Sequence, residues 1–279
     1  MYYRGDMRLH AFLWAVPIGL AGLYVVVCLI YFLSQDAILF HPERLPRDYS
    51  FSFEEPFREV YLSADGTELH GIHSFGSNPA GVVLFFHGNA QTVAELAPAA
   101  SHFTRHGYDV VVPDYRGFGK SGGSIRNQRQ FLADARLWVE YVSARYPAAR
   151  TIMYGYSIGT GLAVRMAEEY TPAMLMLEAP YTSIVDLARD MAPFLPSSLL
   201  LKYRLRSDRV IGEVDAPVII FHGSEDRLIP PEHGRRLAEI AGEDAWFFEI
   251  PGADHDEVPD TAAHRSLLAA FLAEIHSRE

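Results

Sequence analysis

A single cysteine, Cys28, is present in the 279 residues. No disulfide can close within the chain, and cysteine usage does not separate a reducing from an oxidising compartment. Basic charge is also scarce. Lys and Arg number 24 against 35 Asp and Glu, a formal net charge of -11, and no Lys/Arg run breaks the balance. Nucleic-acid binding needs a basic footprint and is excluded. An acidic surface gives no attraction to anionic headgroups, so any hold on a membrane must be hydrophobic. There is no H-E-x-x-H and no Cys or His cluster with zinc spacing, so no metal site is expected. Low-complexity tracts and repeats are absent too, which removes solenoid and disordered architectures.

What is present is 49% hydrophobic and 21% charged residues, the balance of a folded globular protein. Residues 11–33, AFLWAVPIGLAGLYVVVCLIYFL, carry no charge. As a helix they span roughly 30 Å of hydrocarbon. A cleaved signal peptide has a shorter apolar core and a small-residue cleavage site, which Ser34-Gln35-Asp36 does not supply. A buried core helix would show a polar face. The expectation is a retained single-pass membrane anchor. Arg4 and Arg8 precede it and Asp36 follows, so the positive-inside rule puts the rest of the chain on the non-cytoplasmic side. The expected organisation is an N-terminal tail over 1–10, the anchor over 11–33 and a linker over 34–56. The domain then covers 57–279.

Within that domain, short apolar runs occur at 58–62, 68–73, 82–86, 109–113, 151–154, 173–177, 217–221 and 246–250. Amphipathic stretches at 93–106, 127–145, 158–170, 231–241 and 261–277 separate or follow the later ones. Unbroken runs such as Val82-Val83-Leu84-Phe85-Phe86 suit strands buried on both faces. Strand and helix in alternation predict an α/β fold with a mostly parallel sheet of about eight strands and helices on both faces. The first two runs lack a helix between them and read as an antiparallel hairpin. Functional residues in such sheets gather at the carboxyl ends of strands.

Gly155-Tyr156-Ser157-Ile158-Gly159 stands between a predicted strand and a predicted helix. This G-x-S-x-G spacing pushes a serine into a sharp, exposed turn, with glycines where neighbouring backbone comes close. A serine hydroxyl needs a base, and histidine titrates in the right range. His255, just after the last predicted strand, is the best placed of twelve histidines. An acid must orient the imidazole. Asp226, in the turn after 217–221, is the candidate; Glu178, at the end of the preceding strand, is the rival. Two preorganised N–H donors must hold the oxyanion. The backbone amides of Asn89, after 82–86, and of Ile158 are the candidates, with His87 shaping the loop.

Taken with Asp114-Tyr115-Arg116-Gly117-Phe118-Gly119-Lys120-Ser121, Glu178-Ala179-Pro180-Tyr181, Phe221-His222-Gly223-Ser224-Glu225-Asp226, Gly252-Ala253-Asp254-His255 and Phe40-His41-Pro42-Glu43-Arg44, these features resemble the α/β-hydrolase superfamily, and within it the BEM46-like serine hydrolases. The resemblance runs from about residue 38 to the end. It implies an α/β-hydrolase fold with a short helical cap, here over about 183–215, and ester or thioester substrates, often lipids. Met191, Phe194, Leu195, Leu199, Leu200 and Leu201 in that cap either wall an acyl pocket or cover the sheet. The expected catalytic set is Ser157, Asp226 and His255, with Asn89 and Ile158 as the oxyanion hole. No cofactor is required. Gly117-Phe118-Gly119-Lys120-Ser121 lacks the first glycine of a phosphate-binding loop, because Asp114 stands there. A peptidase or amidase on the same machinery, and a non-catalytic membrane-bound module, are the alternatives to an acyl-ester or lipid hydrolase.

Overall fold

The computed structural model describes residues 3–277, with side chains from 14 to 273 apart from 97 and 98. The side chains of the expected N-terminal tail, Arg4 and Arg8 included, lie outside the described residues. Helix α1 runs over Tyr3–Leu39. Its stretch Trp14–Leu39 is long and apolar enough to cross a membrane, and no part of its most apolar window is buried by the rest of the chain.

The helix continues past the apolar segment because residues 34–39 contain no proline or glycine to end it. They also dock on the domain. Gln35 is buried, donates to Leu200 O at 2.9 Å and accepts from Lys202 N at 2.8 Å. Asp36 pairs with Lys202 at 3.2 Å. Beyond it, Phe40 inserts edge-on between Phe131 and Tyr203, with ring centroids at 5.4 and 5.2 Å. His41 N donates to Asn89 O at 2.9 Å, and Leu45 and Gly119 join backbones at 2.9 Å. The expected linker over 34–56 is therefore strapped to the domain surface by apolar and main-chain contacts.

The sheet has eight strands in the order β1-β2-β4-β3-β5-β6-β7-β8. They are β1 Phe57–Ala64, β2 Thr67–Ser74, β3 Gly81–Phe86, β4 Tyr108–Pro113, β5 Thr151–Tyr156, β6 Met174–Glu178, β7 Val218–Gly223 and β8 Ala245–Ile250. The β1–β2 hairpin and its join to β4 are antiparallel, and every pairing from β4 through β8 is parallel. Every residue of β3, β4 and β5 is buried, as strands covered on both faces must be.

One face carries α3 (Gln128–Ser143) and α4 (Gly159–Tyr170), and the other carries α2 (Ala97–Thr104) and α8 (Ala262–Ser277). Helix α7 (Glu232–Ala241) flanks β7 and β8. Asn127 caps α3 by accepting from Gln130 N at 2.9 Å, and the helix then buries Phe131, Ala135, Trp138, Val139 and Val142 along one stripe. The segment between β6 and β7 forms two short helices, α5 (Ile184–Met191) and α6 (Ser197–Leu200). Leu201, Tyr203 and Leu205 of this segment belong to the same buried cluster as α3 and α4.

Candidate active site

The polypeptide turns sharply between β5 and α4, and Ser157 occupies the bend with φ +51°. A non-glycine residue in the left-handed region is strained, and such strain clusters at functional positions. The neighbours explain the glycines. A Cβ on Gly159 would stand 2.1 Å from Phe86 O, and one on Gly155 would stand 2.7 Å from Thr160 Cα. The bend is held by Ser157 N donating to Glu178 O at 3.0 Å and by Thr160 N and Oγ1 donating to Ser157 O.

Two loops from the far half of the sheet meet the serine. After β7, Asp226 Oδ1 accepts from Leu228 N at 3.0 Å and Ile229 N at 2.8 Å, which fixes its carboxylate. After β8, the backbone folds onto that turn: Glu225 N donates to Ala253 O at 3.0 Å and Gly252 N to Ser224 Oγ at 2.8 Å. His255 is thereby set between the other two groups. Its Nδ1 lies 2.7 Å from Asp226 Oδ2 and its Nε2 lies 3.0 Å from Ser157 Oγ. All three residues are buried. Of the remaining acids, Glu225 and Asp254 are exposed. Asp254 Oδ1 accepts from His255 N at 2.8 Å rather than from its ring.

The sequence and the fold have counterparts among known proteins. A family profile described as serine aminopeptidase, S33, matches residues 77–209. An uncharacterised protein of Mycobacterium tuberculosis, Rv2307c, is 32% identical over 251 residues, covering 86% of this chain and 88% of that one. The lysophosphatidylserine lipase ABHD12 of Danio rerio is 30% identical over 189 residues, 58% of this chain and 47% of that one. Among solved structures, the Pyrococcus furiosus esterase Pf2001 superposes with a TM-score of 0.67 at 21% identity, covering 85% of this chain and 98% of the esterase. The chain belongs to the α/β-hydrolase superfamily, in its BEM46-like group.

In this BEM46-like hydrolase the expected oxyanion donors flank the serine from two elements. Ile158 precedes α4 and is buried; Asn89 follows β3. Among the described residues neither backbone amide donates to a protein acceptor. His87 is buried, bonds Gly88 O through Nδ1 at 2.7 Å and stacks on Tyr115 at 4.0 Å. Burial holds its imidazole below the ordinary range, so it is neutral near pH 7.

Burial opposes ionisation of Asp226, but hydrogen bonds from His222 and His255 and the Ile229 amide outweigh it, and the carboxyl stays well below the usual carboxylate range. His222, 3.3 Å from Asp226 Oδ2, was not legible as a supporting residue; only its place on β7, four residues before the acid, hinted at it. Tyr156 was also missed. Its hydroxyl bonds Asp256, and its ring lies 5.5 Å from that of His255.

A cavity of about 350 Å³ opens beside Ser157 and His255. Its walls are mostly apolar, with Phe85, Leu96, Phe103, Tyr154 and Leu268 among them. None of the six apolar cap residues considered above lines it. Leu195 and Leu201 are buried, whereas Met191, Phe194 and Leu199 are exposed at 66, 66 and 79%. The cavity lies on the α2/α8 face of the sheet, away from the cap.

Glu178 lines this cavity and bonds the Tyr154 hydroxyl instead of His255. Burial pushes its carboxyl up to about 7. The native carboxyl thus keeps its proton to about pH 7, while the unfolded one loses it near ~4.3. Native stability is expected to fall as pH rises through that window. Glu178→Gln removes the penalty, so its stability advantage over wild type should be small near pH 4 and reach roughly 3 kcal/mol at pH 8. Urea unfolding at both pH values checks this; a pH-independent difference would contradict it.

Proposed function

We propose that the protein is a membrane-anchored serine hydrolase that cleaves carboxylic ester or thioester bonds of lipid-like or acylated substrates through an acyl-enzyme. One observation carries the reading: a single imidazole bridges Ser157 Oγ at 3.0 Å and Asp226 Oδ2 at 2.7 Å at a mostly apolar cavity. His255 Nε2 takes the Ser157 proton as Oγ attacks the acyl carbonyl. The Asn89 and Ile158 amides receive the developing oxyanion. His255 then protonates the leaving alcohol or thiol, next takes a proton from the attacking water, and returns it to Ser157 Oγ as the acid is released. Asp226 keeps the ring oriented and stabilises its charged form.

The lipid preference is supported by the apolar cavity walls, the apolar helix α1 and the zebrafish relative's name as a lysophosphatidylserine lipase. That relative is matched over only 47% of its length, so its substrate is not transferred. The positive residues ahead of the apolar segment 11–33 favour a non-cytoplasmic hydrolase domain.

The test is hydrolysis by the full-length protein in detergent. Long-chain lysolipids and acyl thioesters should turn over faster than short water-soluble esters, and peptide amides slowest. Turnover of short esters with none of lysolipids or acylated peptides would remove the lipid reading. Faster turnover of amides than of matched esters would favour a peptidase.

A further inference from the structure

Two buried side chains in the cavity wall carry polar atoms without protein partners. Glu178 is 1% and His264 2% exposed, and both line the cavity that holds Ser157. Glu178 Oε2 accepts from Tyr154, but Oε1 has no partner, and neither ring nitrogen of His264 has one. A buried polar atom left unsatisfied costs free energy, and most such atoms are paired. His264 Nε2 lies 3.9 Å from Glu178 Oε2. That is too far for the groups to bond each other, yet close enough for one oxygen atom between them to bond both. We propose that Glu178 and His264, backed by Tyr154, form a subsite for a hydroxyl group carried by the substrate close to its scissile ester.

A hydroxyl fits because it donates and accepts at once. With its carboxyl protonated, Glu178 donates from the partnerless Oε1 to the hydroxyl oxygen, and the hydroxyl donates to the ring nitrogen of neutral His264 that carries no proton. An ion fits less well. Burial keeps His264 neutral, with its pKa down at about 4, and keeps Glu178 largely protonated up to about 7, so the site holds little net charge to balance one.

The position follows from the sheet. Tyr156, one residue before the nucleophile, pairs with Glu178 across β5 and β6, and Ser157 N bonds Glu178 O at 3.0 Å. The subsite is one strand spacing, roughly 4.8 Å, from the serine's own strand. The recognised hydroxyl is thus near the reacting carbonyl, either on the acyl chain or on the leaving alcohol. This inference rests on the ester-hydrolase reading above and deepens it.

The experiment compares kcat/KM for matched ester pairs, using the full-length protein in detergent. One arm sets 3-hydroxyoctanoyl against octanoyl p-nitrophenyl ester. The other sets 2-hydroxyethyl octanoate against propyl octanoate. Wild type should favour the hydroxylated member about 10-fold or more in one arm, which also tells acid-side from alcohol-side recognition. His264→Leu should bring that ratio to near one, and Glu178→Gln should lower it if the first variant does not fold. Ratios near one in both arms, from a protein that hydrolyses the plain esters and is labelled by a fluorophosphonate, overturn the subsite alone. A wild-type preference that both folded variants retain overturns these residues as its source. A protein that cleaves no ester overturns the ester-hydrolase reading and this inference with it.

Discussion

Ser157→Ala should abolish labelling by a fluorophosphonate and lower ester hydrolysis by at least about 10⁴-fold. The reaction needs a hydroxyl oxygen 3.0 Å from His255 Nε2, and alanine offers none. The loss is a chemical one and not a folding one. The backbone at 157 is held by hydrogen bonds from its N–H and to its carbonyl, which alanine keeps, and its φ of +51° is no worse for alanine than for serine. The variant should therefore melt within a few degrees of wild type. Residual hydrolysis above background would reflect the amide donors and binding alone. Labelling that persists in the variant would move the nucleophile elsewhere and remove the proposed mechanism.

Asp226→Asn should lower kcat by roughly 10³–10⁴-fold with much less effect on KM. Asparagine can still accept from the Leu228 and Ile229 amides through its carbonyl oxygen. Toward His255 Nδ1 it then presents an NH₂ group where the carboxylate stood at 2.7 Å. The imidazole loses its charge partner and is steered toward the tautomer that carries its proton on Nε2, facing the serine. Steady-state kinetics on a chromogenic ester measures the change. Glu178 supplies the contrast, since its carboxyl bonds Tyr154. If Glu178→Gln costs more in kcat than Asp226→Asn, the acid has been assigned to the wrong strand.

Much of the architecture was legible because buried parallel strands leave an unmistakable trace. The run 82–86 became β3 over Gly81–Phe86, and 151–154 became β5 over Thr151–Tyr156. The hairpin was legible from a missing helix, and the serine bend from glycines whose replacement would drive a Cβ into Phe86 O or Thr160. Less legible was anything decided by partners remote in sequence. Residues 34–45 looked like a tether because nothing nearby shows that Phe40 will meet Phe131 and Tyr203. The side of the sheet on which the cavity opens was hidden for a different reason. Phe85 and Tyr154 face α2, whereas Leu84 and Met153 face α3 and α4. In a strand apolar on both faces, no alternation tells one side from the other. The apolar residues of the cap line no part of the cavity.

The contact between α1 and the cap also fixes a waterline. Tyr24 donates its hydroxyl to Phe194 O at 2.9 Å, so the domain already reaches the helix at that level. For an anchored protein, the oily slab then ends near Tyr24 to Cys28 instead of at Leu33. About 20 helical residues are needed to cross it, and counting back from Cys28 brings the far edge to Leu9, next to Arg8. On the membrane-anchored reading proposed above, the molecule would float with a deep draught: Met191, Phe194 and Leu199 would ride at the surface of the lipid, and the last turns of α1, docked on the domain through Gln35, would stand clear of it as part of the hull.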